Sequence, residues 1–188
     1  MKPLTIGLIL IICIYNVNAQ TNNTATAKAP DPQFLNHVYF YHADSLASLE
    51  QIEARYKSKP KGFGGNETGF EMNGEKSPVR IKAGDTIRFA VKMNGMMSDP
   101  TTMIKLYHFD SRKGNREAIM NSQSSMYSKA KEPENTIAFN VQKSGNDVFI
   151  IMPASALGTG EYGFLNMMLM NGGGMKMSYT VFAFGVDP

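Results

Sequence analysis

Two stretches of this chain alternate apolar and polar residues with a period of two. Ile87, Phe89, Val91 and Met93 interleave with Thr86, Arg88, Ala90 and Lys92, and Ile137, Phe139 and Val141 interleave with Thr136, Ala138, Asn140 and Gln142. Successive side chains of an extended backbone point to opposite faces, so this period gives each strand one apolar face and one mostly wet face. Residues 38–41, 148–152 and 179–186 are apolar on both faces, which suits strands near the middle of a two-layer structure. A shorter alternating piece, 79–82, follows Pro78, a residue tolerated at a strand start or edge. Gly84-Asp85, Asn94-Gly95, Asp99-Pro100, Gly114-Asn115, Gly145-Asn146 and Gly172 to Gly174 supply turns between them. The pattern predicts an all-β fold, an immunoglobulin-like antiparallel β-sandwich spanning 36–188 as a single domain.

One segment leaves two readings open. Leu46, Leu49, Ile52 and Tyr56 recur at near-helical spacing, with Ser45 placed to cap a short amphipathic helix over 45–57. The same residues alternate well enough to form paired short strands. No repeat of fixed period appears, which argues against a solenoid or a propeller.

The N-terminus sets the expected compartment. Lys2, an apolar run over 4–15 and the small residue Ala19 form a signal-peptide pattern over 1–19. The run is shorter than the roughly 20 residues a membrane-spanning helix needs, and no membrane span is expected. The single Cys13 follows Ile11 and Ile12 rather than the small residue that lipidation requires, so cleavage after Ala19 is expected, leaving no cysteine. Export to the periplasm or the cell exterior follows. Removing 19 of the 188 residues leaves 169, a length that buries roughly 70% of its unfolded surface without disulfides. Residues 20–35 are rich in Thr, Asn, Ala and Pro and are expected to be a flexible tether. The sequons at Asn22 and Asn66 matter only in a host that N-glycosylates.

Composition excludes several classes. With 43% hydrophobic and 19% charged residues the chain is neither collagen-like nor predominantly disordered. A formal charge of +3 is too small to argue for nucleic acid or an anionic membrane surface.

At 157–164 the chain reads LGTGEYGF, with Gly160 turning the backbone and Tyr162 beginning a strand. In immunoglobulin-like sandwiches a tyrosine so placed returns its hydroxyl to an upstream backbone group and fixes the corner between sheets. This motif, with KSPVRIKAGDTIRFAV (76–91), DPTTMIKLY (99–107), GNRE (114–117) and the terminal FAFGVDP, resembles a group of secreted bacterial β-rich proteins of unassigned function. The resemblance is scattered over 38–188. It implies a compact all-β domain and no activity. Thr159 stands where those proteins usually carry proline, which makes the corner less rigid.

Catalytic chemistry is thinly represented. There is no nucleophile elbow, no His-Glu-x-x-His pair and no mature cysteine. His37 and His42, five residues apart, would point to opposite faces of one strand, and His108 beside Asp110 reads as a surface residue. The Gly-rich stretch 62–69, led by Lys57, Lys59 and Lys61, lacks the Lys-Ser/Thr of a phosphate cradle and reads as a solvated loop. A hydrolase would need a carboxylate pair such as Glu161 with Asp147 or Glu134. No enzyme is expected.

Methionine is the unusual component. Of 14 methionines, eight fall in two clusters: Met93, Met96 and Met97, then Met167, Met168, Met170, Met175 and Met177 around the Gly172 turn. Methionine packs irregular cores or forms adaptable contact surfaces. The expected contact residues are Met170, Asn171 and Met175, with Met96 and Met97 second, holding an unidentified protein or glycan. No cofactor is expected under that reading. The alternative is a Cu(I) or Ag(I) site built from Met167, Met168, Met170, Met175 and Met177, because soft thioethers select soft ions. Counting strand reversals places the two clusters at opposite ends of the sandwich.

Overall fold

The alternating segments form strands, and most of the turns between them fall at the residues suited to turning. The computed structural model describes residues 29–61, 64–94, 99–125, 135–171 and 177–188. Five strands make one antiparallel sheet: β1 (Val38–His42), β2 (Ser45–Ser48), β6 (Phe89–Lys92), β10 (Phe139–Lys143) and β11 (Val148–Pro153), in the order β10-β11-β6-β1-β2. Six more strands are β3 (Glu50–Lys61), β4 (Gly64–Asn73), β7 (Ile104–Arg112), β8 (Asn115–Ser125), β12 (Gly160–Asn171) and β13 (Ser178–Asp187). These run β12-β13-β3-β4-β8-β7, and β7 pairs back onto β12, closing an antiparallel barrel. The short β9 (Thr136–Ile137) lies beside β7, and β5 (Arg80–Lys82) pairs parallel with the end of β13. A single helical turn, α1 (Pro100–Met103), is capped by Asp99, whose carboxylate accepts from Thr101 N.

The expected all-β antiparallel architecture is therefore present. Its second layer closes on itself, however, which an open two-sheet sandwich does not do. Closure leaves the barrel without edge strands to pair with other chains. Two hairpins use two-residue turns with both residues left-handed, Ala43-Asp44 (φ 45° and 58°) and Lys113-Gly114 (φ 50° and 85°). That geometry matches the right-handed twist of the flanking strands.

The helix considered over 45–57 is absent, and this segment is β2 and β3. The near-helical spacing would gather Leu46, Leu49, Ile52 and Tyr56 on one face. Instead Leu49 enters the core between the layers, Ile52 and Tyr56 face the barrel interior, and Leu46 packs on the outer side of the five-stranded sheet. Three separate burial sites for four residues suit a strand that changes layers at Leu49. The chain changes layers again at Ala138, which divides the alternating 136–142 stretch into β9 on the barrel and β10 on the sheet.

Two apolar cores result. Between the layers, Phe89 meets Phe164 edge-on with centroids 4.7 Å apart and lies 4.9 Å from Phe184. Inside the barrel, Phe70 packs edge-to-face against Tyr179 and Tyr107 at 5.3 and 5.9 Å, with Leu165, Val181 and Phe109 around them. One end of the barrel interior is charged. Arg116, fully buried, meets Glu50 through Nη1 and Nη2 at 2.8 and 3.0 Å. Glu161 lies 3.7 Å from the same guanidinium, accepts from Arg80 Nη1 at 2.5 Å and from Ser77 N at 2.8 Å. Arg80 also reaches Asp187, and its guanidinium occupies the space a side chain at Gly185 would fill.

Two other expectations change. The Gly-rich stretch is not a loop where it is described, since Gly64 to Gly69 belong to β4 and pair with β3 and β8. Lys57, Lys59 and Lys61 lie on β3 with carboxylates beside them: Lys57 with Glu71, Lys59 with Glu117 at 3.6 Å, and Lys61 with Glu67 at 2.9 Å. Residues 29–35, the end of the expected tether, are pinned: Ala29 N donates to Ser144 Oγ, Asp31 pairs with Lys92 at 2.7 Å, and Leu35 bridges Lys92. No helix of the described residues is long and apolar enough to cross a membrane.

Candidate functional site

The methionine-bearing end of β12 is an irregular strand held from below. Up to Asn166 the strand pairs regularly with β7, ending at Asn166 opposite Ile104. Against β13 the register jumps: Leu165 lies opposite Val181, and the next pair is Met170 with Tyr179. Five steps along β12 thus match two along β13. Three extra residues bulge outward, as strands do where pairing is interrupted near a sheet margin.

Asn166 organises the bulge. Its fully buried side chain donates from Nδ2 to Asn36 O at 2.8 Å and accepts at Oδ1 from Met168 N at 3.0 Å. Leu169 turns inward against the core between the layers. Met167, Met168 and Met170 are left 44%, 38% and 48% exposed.

Asn36 joins this bulge to a second apolar segment. Its backbone takes a left-handed φ of 63°, a conformation asparagine tolerates better than most residues. Its N–H donates to Lys92 O at 2.7 Å. Just before it, Phe34 and Leu35 are 53% and 50% exposed. Behind them the His37 ring sits between Phe34 and Phe182, with centroids 5.3 and 5.0 Å away. Burial there pushes the His37 imidazole below its ordinary pKa.

The sequence-predicted residues fall unevenly on this end. Met167, Met168 and Met170 come together on the bulge, and Asn171 closes the β12–β13 ladder opposite Ser178. Met177 belongs elsewhere, since it packs against the barrel core and its carbonyl accepts from Tyr56 N. Met96, Met97 and Met175 lie outside the described residues. The placement of the two clusters at opposite ends is corrected. Met93 follows β6 directly, beside the Asn36 contact at Lys92, α1 precedes Ile104, and Ile104 pairs with Asn166, so the described flanks of both clusters share one end. The strand count failed because between the clusters the chain crosses repeatedly from one layer to the other, from β6 to β7, from β9 to β10 and from β11 to β12.

Phe34, Leu35, Asn36 and Asn166 were not singled out in the sequence. The signal available was two large apolar residues, Phe34 and Leu35, ending a polar tract.

Tyr162 Oη donates to Gly158 O at 2.9 Å, and the ring stacks on Phe184 at 5.6 Å. Gly160 does not turn the chain through a left-handed backbone as expected. Its φ is not positive, and a Cβ there would lie 2.8 Å from His108 Nε2. A side chain at 160 would therefore have to displace the His108 ring.

The other candidates for chemistry are dispersed. Glu161 is engaged by Arg80 and Ser77 at the charged barrel end, whereas Asp147 lies beside Met93 near the bulge; Glu134 is outside the described residues. His42 stacks on Phe40, and His108 meets Tyr162 edge-on with Asp110 at 3.8 Å. Among the described residues no three His, Cys, Asp or Glu side chains gather as a metal-holding group.

Fold and site together define an all-β protein of a closed six-stranded barrel backed by a five-stranded sheet, with a thioether-rich apolar end. Comparison with protein-family models, with curated proteins and with solved structures gives no match.

Proposed function

We propose that this chain is a secreted or periplasmic, non-enzymatic binding or adhesion module whose contact surface is the methionine-bearing end. One observation carries the reading. Among the described residues, the exposed large apolar side chains are Phe34, Leu35, Met167, Met168 and Met170, on two segments joined by the Asn166–Asn36 hydrogen bond. Apolar side chains gathered at one end mark contact surfaces more often than scattered ones do. Flexible thioethers adapt to irregular partners. Of a protein and a glycan, this chemistry favours an apolar protein surface, because thioethers and phenyl rings donate no conventional hydrogen bonds to sugar hydroxyls. The kinship with secreted bacterial β-rich proteins belongs to the same proposal. So does the immunoglobulin-like description, which rests on the face-to-face packing of the sheet on the barrel wall and on the Tyr162 corner.

The test is site-specific photo-crosslinking in cells that make the protein, with the probe at Met168 and, as control, at exposed Ser58. A discrete adduct from position 168 alone supports the reading. Adducts from both positions alike, or from neither, end it.

A second reading is a Cu(I) or Ag(I) binder, favoured by three exposed thioethers on one bulge. Anaerobic competition against a chromophoric Cu(I) chelator tests it. Stoichiometric binding lost on joint replacement of Met167, Met168 and Met170 by Leu supports a metal site, and no competition removes it.

A further inference from the structure

We infer that Met167, Met168 and Met170 form a reversible oxidation site that turns the apolar end polar without unfolding the protein. The inference rests on the contact-surface reading proposed above and names a means of regulating that surface. Its basis is a contrast in exposure within one residue type. Met72 and Met93 are 1% and 0% exposed, inside the barrel and between the layers, while the three bulge methionines are 38–48% exposed. Oxidation of thioethers follows access, so one oxidant separates the two groups.

The chemistry is a two-electron oxygen transfer from a peroxide. A thioether sulfur lone pair attacks the terminal oxygen of hydrogen peroxide, the S–O bond forms as the O–O bond breaks, and the departing hydroxide takes the displaced proton to become water. Sulfur is oxidised and the peroxide oxygen reduced. The product sulfoxide is polar and chiral, and reductases specific for each epimer reverse it.

The bulge tolerates this change. Its backbone is held by Asn166, through Asn36 O and Met168 N, and by Leu169 in the core, none of which involves a thioether. Sulfoxides at three outward-facing side chains therefore alter the surface and leave the anchors alone. With Cys13 inside the expected signal peptide, thioethers are the only sulfur the mature chain offers to an oxidant.

The experiment treats the chain beginning at Gln20 with hydrogen peroxide, quenches at intervals, and maps oxygen gain at each methionine by peptide mass spectrometry. Retention on a phenyl resin and the thermal unfolding midpoint are read from the same samples. Oxidation of Met167, Met168 and Met170 at least about tenfold faster than of Met72 and Met93, with reduced retention and an unchanged midpoint, is the expected result. Equal rates in the two groups, or a midpoint that falls in step with bulge oxidation, overturn the inference. A variant carrying M167L, M168L and M170L keeps its retention under peroxide if the bulge is the switch, and loses it as wild type does if other methionines are responsible. The contact reading fails separately, if Met168 photo-crosslinking finds no discrete partner while oxidation remains selective.

Discussion

Glu50 and Arg116 meet inside the barrel through two parallel hydrogen bonds of 2.8 and 3.0 Å, with the guanidinium wholly withdrawn from solvent. Their residues are 66 apart in sequence, yet the pair joins β3, where the chain has just left the five-stranded sheet, to β8 across the barrel. Removing one partner of a buried pair leaves the other charge uncompensated, typically at about 3–5 kcal/mol. Glu50→Ala is expected to lower the stability of the chain by that order in equilibrium denaturation. A loss under about 1 kcal/mol would mean that Glu161 takes over the neutralising role.

Tyr162→Phe removes the hydroxyl donated to Gly158 O while keeping the ring on Phe184. The expected cost is about 1 kcal/mol, the net value of one such hydrogen bond. Urea unfolding measures it. A cost several times larger would show that the corner holds more than one carbonyl in place.

Asn166→Ala takes away both side-chain hydrogen bonds that hold the bulge and leaves Leu169 in the core. Amide exchange at Met168 and Asn36 should accelerate markedly, with amides of β13 such as Val181 protected as before. Global stability should fall by about 1–3 kcal/mol, because Asn36 O and Met168 N lose a buried partner. Uniform acceleration across β13 would place Asn166 in the global fold rather than in the local bulge.

Acid should destabilise the fold in two stages. His37 is held below its ordinary value of 6.5 by burial, so below that pH the unfolded chain takes up a proton that the folded chain resists. Lys57 beside Glu71, and Arg80 on Asp187, hold both carboxyls below their usual range. Their contribution is complete at neutral pH and is lost as pH falls through the folded values. His37→Gln should flatten the first stage alone, which a series of denaturation curves across pH resolves.

Much of the fold was legible because alternation such as that at 86–93 is a local property of extended backbone, whereas the break at Ala138 that sends 136–142 into two layers left no mark in the alternation. Barrel closure was not, since it depends on β7 reaching β12 across more than fifty residues of chain. The helix ambiguity at 45–57 arose from real spacing, overridden when the strand distributed Leu46, Leu49 and Ile52 among three burial sites. The bulge methionines were visible as a composition anomaly. Their companions Phe34 and Leu35 were hidden in a tract that looked unstructured, and only the Asn36–Asn166 contact brings them to the same end.

The layer changes at Leu49 and Ala138 have a consequence for anyone who would divide this molecule. The sheet draws its strands from the beginning, middle and later thirds of the chain, and the barrel fills the intervals. No single cut releases one body with all its strands, so neither can be produced as a fragment or exchanged between proteins as a cassette. Tags and fusions belong at the ends of the chain. Assembly must wait for distant segments to meet, which places this protein among slow folders whose unfinished forms expose apolar surface and unpaired strands to aggregation.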